Sequence, residues 1–137
     1  MSNEEINRKI AVIFATDLVG YSKHMEKDEN ATLRGLRECN KIIEPLIKKQ
    51  KGRIFNTGGD SVFAEFPSAV AAVDTAVEFQ KQIKARNDKD TTEVKLEYRI
   101  GVNMGDVVKE GDNLLGDGVN IAARLEALAQ PGGITIS

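Results

Sequence analysis

The sequence predicts an α+β fold, a ferredoxin-like βαββαβ core with an additional strand and helix. Three observations predict it. Residues 8–16 are apolar almost throughout, as a strand covered on both faces requires. Residues 52–66 read as a hairpin: Ile54 and Phe55 lead in, Gly58-Gly59 turn the chain, and Val62, Ala64 and Phe66 alternate on the way out. Residues 94–102 alternate strictly, with Val94, Leu96, Tyr98, Ile100 and Val102 one way and Lys95, Glu97, Arg99 and Gly101 the other. That is the pattern of a half-covered strand.

The intervening stretches are helical. From about 30 to 50, Leu33, Leu36, Ile43 and Leu46/Ile47 mark one face, with Pro45 expected to kink the helix and Gly52 to end it. Ser68 caps a second helix whose buried side carries Val70, Val73, Val77 and Ile83, before a solvated loop running to Thr92. Gly105-Asp106-Val-Val suggests an antiparallel partner after a turn, and residues 111–118 form a loop. Val119 to Leu128 make a third helix with Ile121, Leu125 and Leu128 as its buried stripe, and Ile134-Thr-Ile136 is a final strand. The predicted order is β-α-β-β-α-β-β-α-β, with two helices returning across one face of a mainly antiparallel sheet.

Composition narrows the function. One domain of 137 residues, 41% hydrophobic and 29% charged, has the make-up of a globular protein with a real core. Its net charge of −2 gives no electrostatic case for nucleic acid or an anionic membrane. No apolar run approaches the roughly 20 residues of a membrane span. The single Cys39 precludes an internal disulfide and fits a reducing, cytoplasmic setting.

The chemistry centres on two carboxylates. Asp17 closes the first apolar run and Asp60 follows the Gly-Gly turn, so the topology places two strand-end aspartates side by side. A single aspartate there is more often a residue satisfying a turn. A converging pair makes a hard-oxygen site for Mg²⁺ or Mn²⁺ and suits two-metal displacement at phosphorus. Gly20 lets the chain turn after Asp17, leaving N–H groups able to face a phosphate. Asn120 and Arg124, four apart, share a helix face, where spacing alone favours an ordinary solvated surface. His24 reads as a surface histidine. Gly101-Val-Asn-Met-Gly105 looks weakly like a nucleotide loop but opens no helix, so the dinucleotide-fold reading fails.

Four segments stand together in order: Phe14-Ala-Thr-Asp17-Leu-Val-Gly-Tyr-Ser, Asn56-Thr-Gly-Gly-Asp60-Ser, Arg99-Ile-Gly-Val-Asn-Met-Gly-Asp and Gly116-Asp-Gly-Val-Asn120-Ile-Ala-Ala-Arg124-Leu. Over nearly the whole chain they resemble the catalytic domain of class III adenylate/guanylate cyclases, particularly the bacterial branch. The resemblance implies the nucleotide cyclase fold. It implies that Asp17 and Asp60 hold two Mg²⁺ or Mn²⁺ ions, with the Leu18 carbonyl as a further ligand, while Val19 and Gly20 cradle the triphosphate. Asn120 would orient the ribose and Arg124 stabilise the transition state as ATP or GTP closes to the 3′,5′-cyclic nucleotide and releases pyrophosphate. It implies a head-to-tail homodimer in intracellular signal transduction, each site drawing its metal pair and its Asn/Arg pair from different protomers.

The sequence departs from that pattern at the base-reading positions. Asn56 stands where adenylate cyclases commonly have Lys, and Asn113 where Asp or Thr is common; two amides could pair with either purine or with neither strongly. The family usually has a further hairpin bearing a phosphate-binding lysine; the 137 residues end before it, so either the lysine is absent or it lies beyond a truncation. These departures leave a second reading, a cyclase-like nucleotide-binding or dimerisation module of weak or no activity. A diguanylate cyclase relic at Gly58-Gly59-Asp60 is a third, which Ser61-Val62 does not continue and the Asn120/Arg124 helix opposes.

Overall fold

The computed structural model describes residues 7–89 and 94–137. The chain runs β1 (Asn7–Leu18), α1 (Tyr21–Lys27), α2 (Glu29–Lys49), β2 (Arg53–Gly58), β3 (Ser61–Phe66), α3 (Ala69–Lys89), β4 (Tyr98–Glu110), β5 (Asn113–Leu115), α4 (Asp117–Leu128) and β6 (Ile134–Ile136). The strands form one sheet in the order β2-β3-β1-β4-β5. Its first four strands have the ferredoxin-like order that the sequence predicts. β6 adds the one parallel pairing among the described residues, beside β4 from Ile100↔Ile134 to Val102↔Ile136.

The apolar run of β1 is covered on both faces. Val12, Phe14 and Leu18 pack under α2 and α3 with Leu36, Ile43, Ile47, Phe79 and Tyr98. Ala11, Ile13 and Ala15 face α4 with Val107, Leu114 and Ala122. Asp17 shares the parity of this second set, which decides the site's location.

Several expectations are corrected. Residues 21–27 form the unforeseen helix α1, none of whose residues is buried. α2 is unbroken through Pro45, which lies on the exposed side, so the carbonyl of Lys41 that loses its partner is on the exposed side too. α2 ends before Gly52: Lys51 takes the left-handed conformation at φ 62, and the Gly52 N–H donates to Ile47 O at 2.8 Å. Gly52 is needed for space, since a Cβ there would meet the Phe66 ring at 2.7 Å.

Ser68 does cap α3, its Oγ accepting from the Ala71 N–H at 3.1 Å. The buried side of α3 is Ala71, Ala72, Thr75, Ala76, Phe79 and Ile83, whereas Val70 and Val77 are exposed. Small alanines let the helix lie close to the sheet and leave Phe79 as the anchor, edge-on to Tyr98. α3 continues through Arg86 to Lys89, where a loop was expected, and the rest of that loop falls outside the described residues.

The hairpin expected near Gly105 is absent. β4 runs straight through to Glu110, and the chain turns at Gly111 (φ 60) into β5. β4 begins only at Tyr98, although Leu96 before it is fully buried and held by the Asn87 amide through its carbonyl and N–H. Nor is β4 half-covered, because Gly101 and Asn103 are buried under α4. A Cβ at Gly101 would lie 2.4 Å from both Ala122 O and Glu126 N, and one at Gly118 would lie 2.6 Å from Asp106 O. Between these points Asn103 Nδ2 donates to Gly118 O at 3.0 Å. The Gly-Val-Asn-Met-Gly stretch is therefore a seat on which a helix rests backbone against backbone.

This contact predicts a stability contrast. Gly101→Ala should cost about 3 kcal/mol or more, because backbone atoms must shift, lowering Tm by roughly 10 °C. Gly58→Ala, whose Cβ meets only Ser61 Oγ at 3.4 Å, should cost less than about 1 kcal/mol. Thermal unfolding of both variants checks the difference.

Candidate active site

Asp17 lies one residue beyond the last β1–β3 pair, Thr16↔Val62, and directly opposite Arg99 of β4. Asp60 sits in the β2–β3 turn, after Gly59 at φ 53, rather than opening β3 as expected. Its carboxylate lies near the Leu18 backbone N–H and alongside Asp17, close enough for both to act on its charge. Burial, and then the neighbouring Asp17, raise its pKa above the usual carboxylate value, although its own backbone N–H and that of Leu18 pull the other way. The structure thus brings together the two carboxylates singled out in the sequence.

Two further charged groups complete the cluster. Arg99 Nη2 is 3.8 Å from Asp17 Oδ1, and Arg99 Nε is 3.6 Å from Glu126 Oε2. Glu126 is a buried carboxyl on the sheet-facing side of α4, in register with Gly118 and Ala122. Burial first, and then contact with Asp17, push its pKa up to about 8 against the pull of Arg99. Among the described residues Asp17 Oδ1, Arg99 Nε and Glu126 Oε2 are buried without hydrogen-bond partners.

Sequence reasoning missed Glu126 and Arg99. The expected apolar stripe of α4 is wrong: Ile121 and Leu128 are exposed, Leu125 is half-buried, and Gly118, Ala122 and Glu126 face the sheet. A run of small residues four apart that continues into a glutamate is a readable signal of a close seat with a buried charge at its end.

The remaining candidates lie elsewhere. Asn120 and Arg124 are exposed on the side of α4 away from Gly118 and Ala122, with no side-chain partner among the described residues. One chain therefore does not bring them to Asp17 and Asp60. Asn56 is exposed where the β2–β3 register shifts between Ile54 and Asn56. Asn113 opens β5, and its Oδ1 already accepts from the Leu114 N–H at 2.9 Å. Gly20 takes φ 67 as the turn after Asp17 requires. The Val19 N–H, however, donates to Glu97 O at 2.8 Å, so any phosphate contact at this turn falls to Gly20 and the residues after it. Leu18 buries its side chain under α2 and α3.

An all-oxygen pair with an unpartnered buried acceptor fits a hard divalent cation. Among the described residues no group of three or more His, Cys, Asp or Glu side chains is placed to hold a metal. A divalent cation here would rest on Asp17 and Asp60 as its side-chain donors.

With this geometry in place, comparison with known proteins identifies the family. Residues 3–137 match the adenylate and guanylate cyclase catalytic domain, and the chain belongs to that family. A Rhizobium meliloti protein that carries the name adenylate cyclase 3 is 46% identical over 138 residues, covering all of this chain and 24% of the relative. The Streptomyces coelicolor adenylate cyclase is 29% identical over 92% of the chain and 32% of the relative. The chain thus spans about a quarter to a third of these two relatives. Among solved structures, the adenylate/guanylate cyclase/hydrolase from Silicibacter pomeroyi superposes with TM-score 0.88 at 38% identity, over 97% of this chain and 78% of that one. The adenylyl cyclase CyaB from P. aeruginosa gives TM-score 0.85 at 28% identity over 97% and 79%. The fold is the nucleotide cyclase fold. No helix among the described residues is long and apolar enough to cross a membrane.

Glu126 generates a pH prediction. Its pKa rises from 4.5 to about 8 on folding, so the folded state holds a proton that the unfolded state releases. In EDTA, stability should fall with rising pH between those two values and level off above. Glu126→Gln should remove most of that slope in urea titrations from pH 5 to 9.

Proposed function

We propose that this cyclase domain converts ATP or GTP to the 3′,5′-cyclic nucleotide and pyrophosphate at the interface of a head-to-tail homodimer. The observation that carries this reading is the division of the candidate residues. Asp17 and Asp60 converge on one side of α4, whereas Asn120 and Arg124 project from the other. A complete site then needs one set from each of two chains, and two equivalent sites result. Ile121 and Leu128 flank Arg124 on the exposed face of α4, where a partner would cover them.

Asp17 and Asp60, with the Leu18 carbonyl, would hold two Mg²⁺ or Mn²⁺ ions. Bound there, the ions supply charge neutralisation at the triphosphate and activation of the attacking oxygen. The bond formed joins the ribose 3′-oxygen to the α-phosphorus. The bond broken is that from the α-phosphorus to pyrophosphate, and the hydroxyl proton passes to solvent. Arg124 offsets charge building on the phosphoryl oxygens, and Asn120 donates to the sugar. Asn56 and Asn113 face the purine. The Asn113 carbonyl oxygen already accepts from the Leu114 N–H, which leaves it one lone pair and both amide N–H groups for the base.

This reading extends to a role in intracellular cyclic-nucleotide signalling. The second reading, a binding module with little turnover, draws on the same Asn113 contact.

Complementation separates them. Asp60→Ala and Arg124→Ala should each lose about 10²-fold or more in kcat. Mixed in equal amounts, they should recover about a quarter of wild-type activity, since half the dimers regain one of two sites. Recovery would establish the shared site. Active single variants, or no recovery from a mixture that exchanges subunits, would contradict it.

A further inference from the structure

Arg99 lies against Asp17, yet the proposed reaction gives its side chain no part. We propose that Arg99 is a positioning residue that acts as the resident cation of the carboxylate cluster. It holds Asp17 beside Asp60 and Glu126 until a divalent ion binds, and then yields Asp17 to it. The inference rests on the reading that Asp17 and Asp60 bind that ion.

Three carboxyl groups meet here. Asp60 lies beside Asp17 from the β2–β3 turn, and Glu126 approaches it from α4. The guanidinium of Arg99 is the one positive group paired with them among the described residues. Its base is fixed, because Thr16 Oγ1 donates to the Arg99 carbonyl at 2.8 Å and Asp17 and Arg99 are directly paired across β1 and β4. Its tip is also held from α4, where Nη1 donates to Ala127 O at 3.5 Å.

Yet the guanidinium is locked to neither carboxylate. At 3.8 and 3.6 Å its contacts to Asp17 and Glu126 exceed hydrogen-bond length, and the facing atoms stay unpartnered. The geometry is that of attraction without a committed bond. Arg99 screens the repulsion among the carboxylates but leaves Asp17 Oδ1 open to a stronger cation. Metal and guanidinium compete for the same oxygen. Removing Arg99 should therefore weaken the metal-free protein and tighten metal binding.

The test compares wild type, Arg99→Gln and the double variant Asp17→Asn/Arg99→Gln. The readouts are thermal unfolding in EDTA and in Mn²⁺, and Mn²⁺ binding by electron paramagnetic resonance without nucleotide. In EDTA, Arg99→Gln should melt roughly 5–10 °C below wild type. Mn²⁺ should close most of that gap, with a Kd about tenfold tighter than wild type. The double variant should regain most of the lost stability in EDTA and respond little to Mn²⁺.

Equal Mn²⁺ affinity in wild type and Arg99→Gln would overturn the proposal while leaving the metal site intact. A double variant as unstable as Arg99→Gln would also overturn it, marking Arg99 as a packing residue. Absence of Mn²⁺ binding in wild type and Arg99→Gln alike would overturn both this inference and the metal reading beneath it. If Arg99→Gln does not fold in EDTA, the double variant decides: folded, it supports the proposal, and unfolded, it overturns it.

Discussion

The structure depends on one close contact, the seating of α4 on β4. At Gly101 and Gly118 the helix and strand approach until there is no room for a Cβ between them. Asn103 locks the contact with a hydrogen bond to Gly118 O. An ordinary helix packed through its side chains would ride higher on the sheet. The low seat is what lets Glu126 reach Asp17 and Arg99 across the strands. It also fixes which side of α4 is turned away, and that side carries Asn120 and Arg124.

The cluster at the end of that seat is poorly satisfied, which is itself informative. Burial raises the pKa of Asp60 and Glu126, and three buried polar atoms lack partners. Glu65 shows the contrast: it meets both Lys9 and Arg53, and its pKa falls despite burial. Carboxyl groups with raised pKa values gathered at one place are an electrostatic mark of a functional site.

Much of this was legible in the sequence, and the failures share a cause. The strand pattern gave β1, the β2–β3 hairpin and Asp17 beside Asp60, because period-two burial and a Gly-Gly turn are local signals. The two apolar faces misread were on α3 and α4, where alanine and glycine rather than valine and leucine face the sheet. Small residues carry weak hydrophobicity, so a close approach looks like a polar face. The same error hid Glu126, and it made Gly101 to Gly105 look weakly like a nucleotide loop when their role is to admit a helix. Arg99 was visible within a motif, but its partner on α4 is 27 positions away and the contact exists only after folding. Ile121 and Leu128 were taken for core, and the surface they leave exposed is the one the dimer reading needs.

The account's central claim is that this fold, with these residues, closes a nucleoside triphosphate on itself. The direct measurement is the product balance from ATP and from GTP with Mn²⁺, following cyclic nucleotide and pyrophosphate together. The account predicts equal amounts of the two, formed only with a divalent ion and lost on chelation. Nucleoside diphosphate with inorganic phosphate, or no product from either substrate, would contradict it.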